Sequence, residues 1–497
     1  MSKFPDPTKN YDATPVDPNK PVVNTPTPTE VPVYQAPDPT PRSEGETPNT
    51  APPGQAELGR APDQYVSPSP FRNLIPILIA LGVIIVLVVG AMSIIPRLTK
   101  KTTNITLTYW GLWEPSSVMQ AVIADYQNQN PNIKIEYTMQ SPKNYRSRLQ
   151  SAINSGTAPD IARIHNTWLP MLKSSLITAP DTIIPVSLLD SYYPVVKKNV
   201  LSNGKIYARP RSVDGLALLY NQDMLSEEGA TPPSDWNTFR KLAYDLTRTN
   251  KETGVIERAG AAMGTTGNVE HWSDILALLI LQNSGDPGKP TTPSVQEALT
   301  FFTIFSSQDK SWDSSQPNSV YAFATGSVAM ILAPSWQIAE IKAINPDLKF
   351  GVAPAPTLPS TKIAWASYWM EAVPKTSKNS EEAWKFIKFL ASEESLQKIY
   401  AGATQVHGIA QPYPLTKMST LISSDPIIGS YISQAPNYLS WYLTSRTYDE
   451  GINDQLIKYY EDAVNEINNG STVDSVMKTL DSGVTQILAK FPDAAKP

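Results

Sequence analysis

The chain has no cysteine, which excludes disulfides, thiolate metal sites and a cysteine nucleophile. The same absence excludes a lipidated N-terminal cysteine, so any membrane tether must be built from other residues. Charge is also sparse. Charged residues make up 18% of the chain and the formal net charge is −5, which gives no support for nucleic-acid binding, where clustered Lys and Arg are needed. There is no phosphate loop, zinc-helix motif or serine nucleophile elbow. A glycosidase would need two carboxylates facing each other across a cleft. Glu114, Asp160, Asp214 and Glu371 are available, but nothing in their spacing makes a pair. The expectation is a non-enzyme, with no metal and no cofactor.

Proline, by contrast, is abundant and uneven. Residues 1–70 carry 17 of the 46 prolines, mixed with Thr, Asp, Asn and Glu. Such a stretch cannot bury enough apolar surface to offset chain entropy, so a disordered tail is expected there. Residues 73–96 then run for 24 positions without a charge; at ~1.5 Å per residue they span roughly 36 Å, enough to cross a bilayer with some tilt. A cleaved signal peptide is the rival reading, with Ala91-Met-Ser93 weakly like a cleavage site. The 70-residue leader and the length of the apolar run argue against it. A transmembrane anchor over 71–97 is expected. Arg97, Lys100 and Lys101 follow it closely, and this bias alone would hold the large domain inside, although long domains translocate regardless of such charges.

From about Asn104 onward, short apolar runs alternate with amphipathic stretches, the pattern of an α/β domain. Ile105–Trp110 and Ile133–Tyr137 read as strands, Ser116–Asn130 and Tyr145–Ile153 as helices, the second closed by Gly156. Repeated strand–helix–strand units imply a largely parallel sheet, with ligands at the carboxyl ends of its strands. Asp235 is placed to cap a helix beginning at Trp236.

Several runs of residues then occur in a telling order. They are Tyr145–Ile161 with its Gly156 and Pro159-Asp160, Asn203–Pro210, Leu219–Leu225, Pro232–Trp236, Phe323–Met330 followed by Ser335-Trp336, and Glu382–Leu390. Together they resemble the extracellular solute-binding proteins of ABC importers, in the carbohydrate-binding group that includes maltose-binding protein. The resemblance covers about 104–485. It implies a two-lobe periplasmic-binding-protein-like fold of type II, α/β in class, with a hinge and an inter-lobe cleft. Lobe 1 would take 103–213 and 348–412, and lobe 2 would take 214–347 and 413–497. It also implies a small-molecule solute, a carbohydrate for preference, and ABC permease subunits as partners. The domain would then lie outside the cell membrane, on a single-pass anchor with the N-terminal tail on the cytoplasmic side. An anchored binder of glycerol phosphate or a polyamine, and an extracellular sensor or adhesin, remain as alternatives on the same fold.

Sugars are held by aromatic faces against their C–H surfaces and by planar polar groups on their hydroxyls. Trp113 and Glu114 follow the first strand. Asp160, His165, Asn166 and Trp168 surround the strand after Pro159, where the family places ligand contacts. Arg211 and Asp214 stand at the first crossing between lobes, where a hinge ion pair is the other reading. Trp272 lies beside His271. Trp336 aligns with the family's stacking tryptophan in the second lobe. Tyr368 and Trp369 replace a small, glycine-rich strand end, and Trp441 lies near Arg446. The turn Val406–Pro412 departs from the family's pattern, lacking its Pro and Arg, so no contact is carried over there.

Overall fold

The computed structural model describes Phe4 and residues 104–494, except 360. The expected tail at 1–70 and membrane helix at 71–97 therefore lie, Phe4 aside, outside the described residues. Among the described residues no helix is long and apolar enough to cross a membrane.

The strands, in chain order, are β1 (Ile105–Gly111), β2 (Ile133–Met139), β3 (Ile161–His165), β4 (Leu176–Ile177), β5 (Leu201–Ser202), β6 (Lys205–Ile206), β7 (Ala208–Pro210) and β8 (Ala217–Asn221). They continue with β9 (Arg248–Thr249), β10 (Ile256–Ala261), β11 (Val328–Ala333), β12 (Phe350–Pro354), β13 (Ala364–Trp365), β14 (Trp369–Pro374) and β15 (Tyr438–Leu439). In β1, alternation sets Leu107 and Tyr109 in the core, as the two-residue period of a strand requires. Helix Ser116–Gln129 follows and buries Val118, Met119, Val122, Ile123 and Tyr126 along one face. Gly156, at φ 76°, closes helix Tyr145–Ser155 in the left-handed conformation that glycine tolerates best. Asp235 caps helix Trp236–Leu246 through the Thr238 amide at 2.9 Å.

Two sheets result. The first runs β2-β1-β3-β14-β4, with β7 also on β14, and the second runs β12-β8-β11-β10-β9. The expected largely parallel sheet is found only in part. β1 is parallel to β2 and β3, but β14 is antiparallel to β3, β4 and β7. The reason is topological: β14 enters this sheet from the other lobe rather than through a helix packed on its own sheet, so no crossover forces it parallel. In the second sheet β10 and β11 are parallel and their neighbours antiparallel. Because β12 pairs with β8, residues 350–354 stay with the second sheet. The chain returns to the first sheet only with β14, later than the limit of 348 set from the sequence.

Two crossings between the sheets lie side by side. Residues 212–216 lead out of the first sheet and 364–367 lead back into it. Leu216 N donates to the Trp365 carbonyl at 3.3 Å and Ser367 N to the Asp214 carbonyl at 2.9 Å. A Cβ on Gly215 would fall 1.9 Å from the Trp365 carbonyl oxygen, so only glycine lets the crossings approach this closely. β15 pairs with β13 and brings a third segment alongside.

Phe4 is buried, with its ring stacked on Phe301 at 4.8 Å and 15°. Phe301 belongs to helix Pro293–Ser307 of the second lobe. A single crossing at 73–96 with the lobes outside would put these two rings on opposite sides of a membrane. The expected cytoplasmic placement of the tail is therefore at odds with the contact.

Candidate functional site

A cavity of about 330 Å³ opens between the lobes beside the crossings. From the first lobe come Trp113 and Glu114, just past the carboxyl end of β1, and His165, the last residue of β3. Trp369 opens the antiparallel β14 at the same edge, paired with His165. From the second lobe come Trp336, Ser445, Arg446 and Tyr448.

Behind the first wall lies a compact charge cluster. Glu371 Oε1 accepts from Tyr109 OH at 2.8 Å, Arg163 Nη2 at 2.8 Å and Arg211 Nε at 2.8 Å. Arg163 also pairs with Glu114. Two guanidinium groups thus face two carboxylates, and the cluster is neutral. Burial raises the Glu114 carboxyl above its usual range, with Arg211 opposing that shift. For Arg211 burial disfavours the charge, but Glu371 and Glu114 outweigh it and hold the guanidinium firmly protonated. Arg211 Nη2 lies 3.2 Å from Glu114, yet its N–H groups have no acceptor within hydrogen-bond geometry. It is a buried donor on a residue that lines the cavity.

His165 is buried, and desolvation lowers its pKa to about 3. Thr167 N donates to its Nδ1 at 3.3 Å, so Nε2 carries the proton and donates to Ser367 Oγ at 3.2 Å. Trp369 is wedged edge-on against His165 and Trp168 at 5.0 and 5.2 Å. Trp113 meets it at 6.0 Å and remains 42% exposed toward the cleft. On the opposite wall Trp336 packs against His271 at 5.6 Å and lies under the Arg446 guanidinium, also at 5.6 Å. Arg446 is paired with Glu270.

Six of the sequence-selected residues therefore meet at the cavity: Trp113, Glu114, His165, Arg211, Trp336 and Trp369. The other seven do not. Asp160 ties strands together, accepting from Thr108 N at 3.0 Å and Ser377 Oγ at 2.6 Å. Trp168 is fully buried behind Trp369. Tyr368, just ahead of β14, is fully buried away from the cavity, and its hydroxyl donates to Asn199 at 2.7 Å. Asn166 and Trp441 border a separate cavity of about 110 Å³. Trp272 is buried in the core of the second lobe. Asp214 is fully buried and makes no ion pair with Arg211, which pairs with Glu371 and Glu114 instead.

Sequence reasoning missed Tyr400 and His407 on helix Glu393–His407, together with Gln411, Tyr413 and Tyr448. Tyr400 and Tyr413 pack against each other at 4.8 Å. Gln411 lies in the divergent turn, onto which no contact is carried over from the family. The signal was available in the tyrosines of that helix and turn, but amphipathic spacing there reads equally as core.

The profile of a family described as bacterial extracellular solute-binding protein matches residues 111–397, more than half of the chain. The chain is 22% identical over 347 residues to the multiple sugar-binding protein of Streptococcus mutans, spanning 64% of this chain and 80% of that one. It is 22% identical over 312 residues to the maltotriose-binding protein of Pyrococcus abyssi, spanning 58% and 63% respectively. The solved structure of the sugar-binding protein MalE from Xanthomonas citri superposes with a TM-score of 0.64 at 21% identity, covering 78% of this chain and 98% of that one. The structural likeness extends to the fold: two lobes of mixed α/β sheets.

Proposed function

The chain belongs to the bacterial extracellular solute-binding protein family, and from that premise we propose that it captures a neutral sugar or oligosaccharide in the inter-lobe cleft and delivers it to an ABC permease. The observation that carries this is the pairing of aromatic faces with a cleft whose charges are already matched. Trp113 and Trp369 face the cavity from one side and Trp336 from the other, as stacking on sugar C–H faces requires. Glu114 and Arg211 belong to the neutral cluster, and Arg446 is paired with Glu270. A glycerol phosphate would want an unmatched cation and a polyamine an unmatched carboxylate. The cleft's paired charges favour a neutral solute with hydroxyls. Relatives named for multiple sugars and maltotriose support the same reading.

Calorimetric titration of the purified chain with neutral oligosaccharides, glycerol phosphate and spermidine tests the proposal. Saturable heat with a neutral sugar is expected. Heat with a charged solute, and none with any sugar, sinks the carbohydrate reading. Delivery is tested by co-purification with two multi-span permease subunits; recovery of a signalling partner in their place favours a sensor.

We further assign membrane attachment to residues 73–96. The Phe4–Phe301 contact then needs both flanks of that segment on the face occupied by the lobes. The native chain has no cysteine, so S2C, next to the buried Phe4 but not at it, and a lobe-surface cysteine can each be probed in intact cells with an impermeant maleimide. Labelling of both supports one face for both flanks. Protection of S2C that is relieved when the membrane is permeabilised without unfolding the protein restores a single crossing with a cytoplasmic tail.

A further inference from the structure

Asp214 has no place in the cavity, yet it sits where three functional parts meet. It lies on the outgoing crossing between the lobes and is 0% exposed. Its backbone carbonyl accepts from Ser367 N of the returning crossing at 2.9 Å. Its carboxylate reaches into the second lobe. Oδ2 accepts from Ser335 Oγ at 2.8 Å, while Oδ1 accepts from Gly215 N at 2.8 Å and from Ser335 N at 3.3 Å. The Trp336 amide adds a further donor. The Ser335 and Trp336 amides immediately precede helix Gln337–Ile344, whose own N-cap residue, Trp336, provides no side-chain cap. A carboxylate from the hinge thus fixes the turn that presents Trp336 to the cleft, where a helix N-terminus favours negative charge.

We propose that Asp214 is a positioning residue that couples the hinge to the aromatic wall, setting Trp336 for ligand when the lobes close and releasing it when the carboxylate is protonated. This rests on the cleft being the binding site. A protonated carboxyl keeps fewer acceptor positions, so it cannot serve the Ser335 hydroxyl and the three amides together. No Lys, Arg or His among the described residues pairs with Asp214. The titratable groups facing it are the phenols of Tyr431 and Tyr438, and His271 and Arg446 touch Trp336 rather than Asp214. Burial accordingly raises the Asp214 pKa to about 6, with the Ser335 hydroxyl opposing the rise. The tie is therefore intact at neutral pH and lost in mild acid.

The test uses the full chain labelled with 5-fluorotryptophan, with the Trp336 fluorine resonance assigned through W336F. In the wild type this resonance should move between pH 8 and 5 with a midpoint near 6. In D214N it should stay fixed, in S335A the midpoint should rise, and in H271N the movement should persist. A stationary resonance in the wild type overturns the proposal, and so does an unchanged titration in D214N or one abolished by H271N. If D214N does not fold, the S335A midpoint decides: one that fails to rise is evidence against the tie. In parallel, calorimetry with maltotriose should show affinity about tenfold weaker at pH 5 than at pH 7.5 in the wild type, with no such ratio in D214N. Absence of maltotriose binding at every pH counts against the choice of sugar and not against the tie, which the resonance judges without ligand.

Discussion

On the first lobe's side of the cleft, Trp369 opens a central strand and is wedged against His165 and Trp168, beside a cluster of four matched charges of which Arg163, Arg211 and Glu371 are buried. On the second lobe's side, Trp336 stands in a turn before a short helix, and Arg446, Tyr448 and Glu450 hold φ angles of 55°, 52° and 47°. One wall is fixed by a sheet and its ion cluster; the other is set by loops and by a contact from the hinge. Left-handed backbone at residues other than glycine persists only where the surroundings enforce it. Ser147 Oγ donates to Glu450 at 2.7 Å and Arg146 reaches the Asp449 carbonyl, both across the cleft. The loop wall is thus held partly by the opposite lobe and is the one expected to shift when the lobes part. Trp113, at φ 72°, is the strained residue on the otherwise regular wall.

The largest expected effect tests the sheet-built wall. Glu371→Ala leaves Arg163 and Arg211 buried without their main acceptor; loss of one partner from such a cluster should cost about 3–5 kcal/mol in urea unfolding. A cost below 1 kcal/mol would mean that the cluster does not organise this wall. Next comes the other wall's aromatic. Trp336→Ala should weaken binding of a neutral oligosaccharide by about 1–3 kcal/mol if the ring stacks on it. Unchanged affinity would move Trp336 out of the ligand's reach.

His165 distinguishes the walls by pH. Its folded pKa, lowered to about 3, lies below the ordinary histidine value. The unfolded state therefore takes up a proton first, and stability falls as pH drops from about 6.5 towards 3, by about 1.4 kcal/mol per pH unit. Asp214 and Asp454, both raised to about 6, act in the opposite sense, because their unfolded forms ionise first as pH rises. The wild-type curve mixes these slopes, so the informative quantity is the difference in unfolding free energy between H165Q and wild type. That difference should change below pH 6.5 and stay flat above it; a flat difference throughout means His165 is hydrated.

These contrasts explain what could be read from the sequence. Helices and strands with clear periodicity were legible, among them Ser116–Gln129, β1 and the Asp235-capped helix. Trp113 and His165 could be found because strand ends in α/β sheets point to ligands. Trp336 needed the order of several motifs. Tyr368 and Trp369 are adjacent, and only the pairing of β14 with β3 decides which ring faces the cleft. Sequence proximity pairs Asp214 with Arg211, whereas its actual partner, Ser335, is 121 residues away. The direction of β14 was not legible either, since strand patterning carries no sign for parallel or antiparallel pairing.

The smallest expected effect bears on strain in the loop wall. Tyr448 lines the cavity, is 41% exposed and sits at φ 52°. An L-residue in that region costs roughly 1–2 kcal/mol, and asparagine tolerates it better than most. Tyr448→Asn should therefore stabilise the chain by up to about 1 kcal/mol while removing an aromatic face from the cleft. Thermal unfolding should rise slightly as sugar affinity falls several-fold. A gain in stability with unchanged affinity would leave the strain without a binding role. A loss of both would show that the ring's packing outweighs its backbone cost, and that the loop wall is as firmly held as the sheet wall opposite.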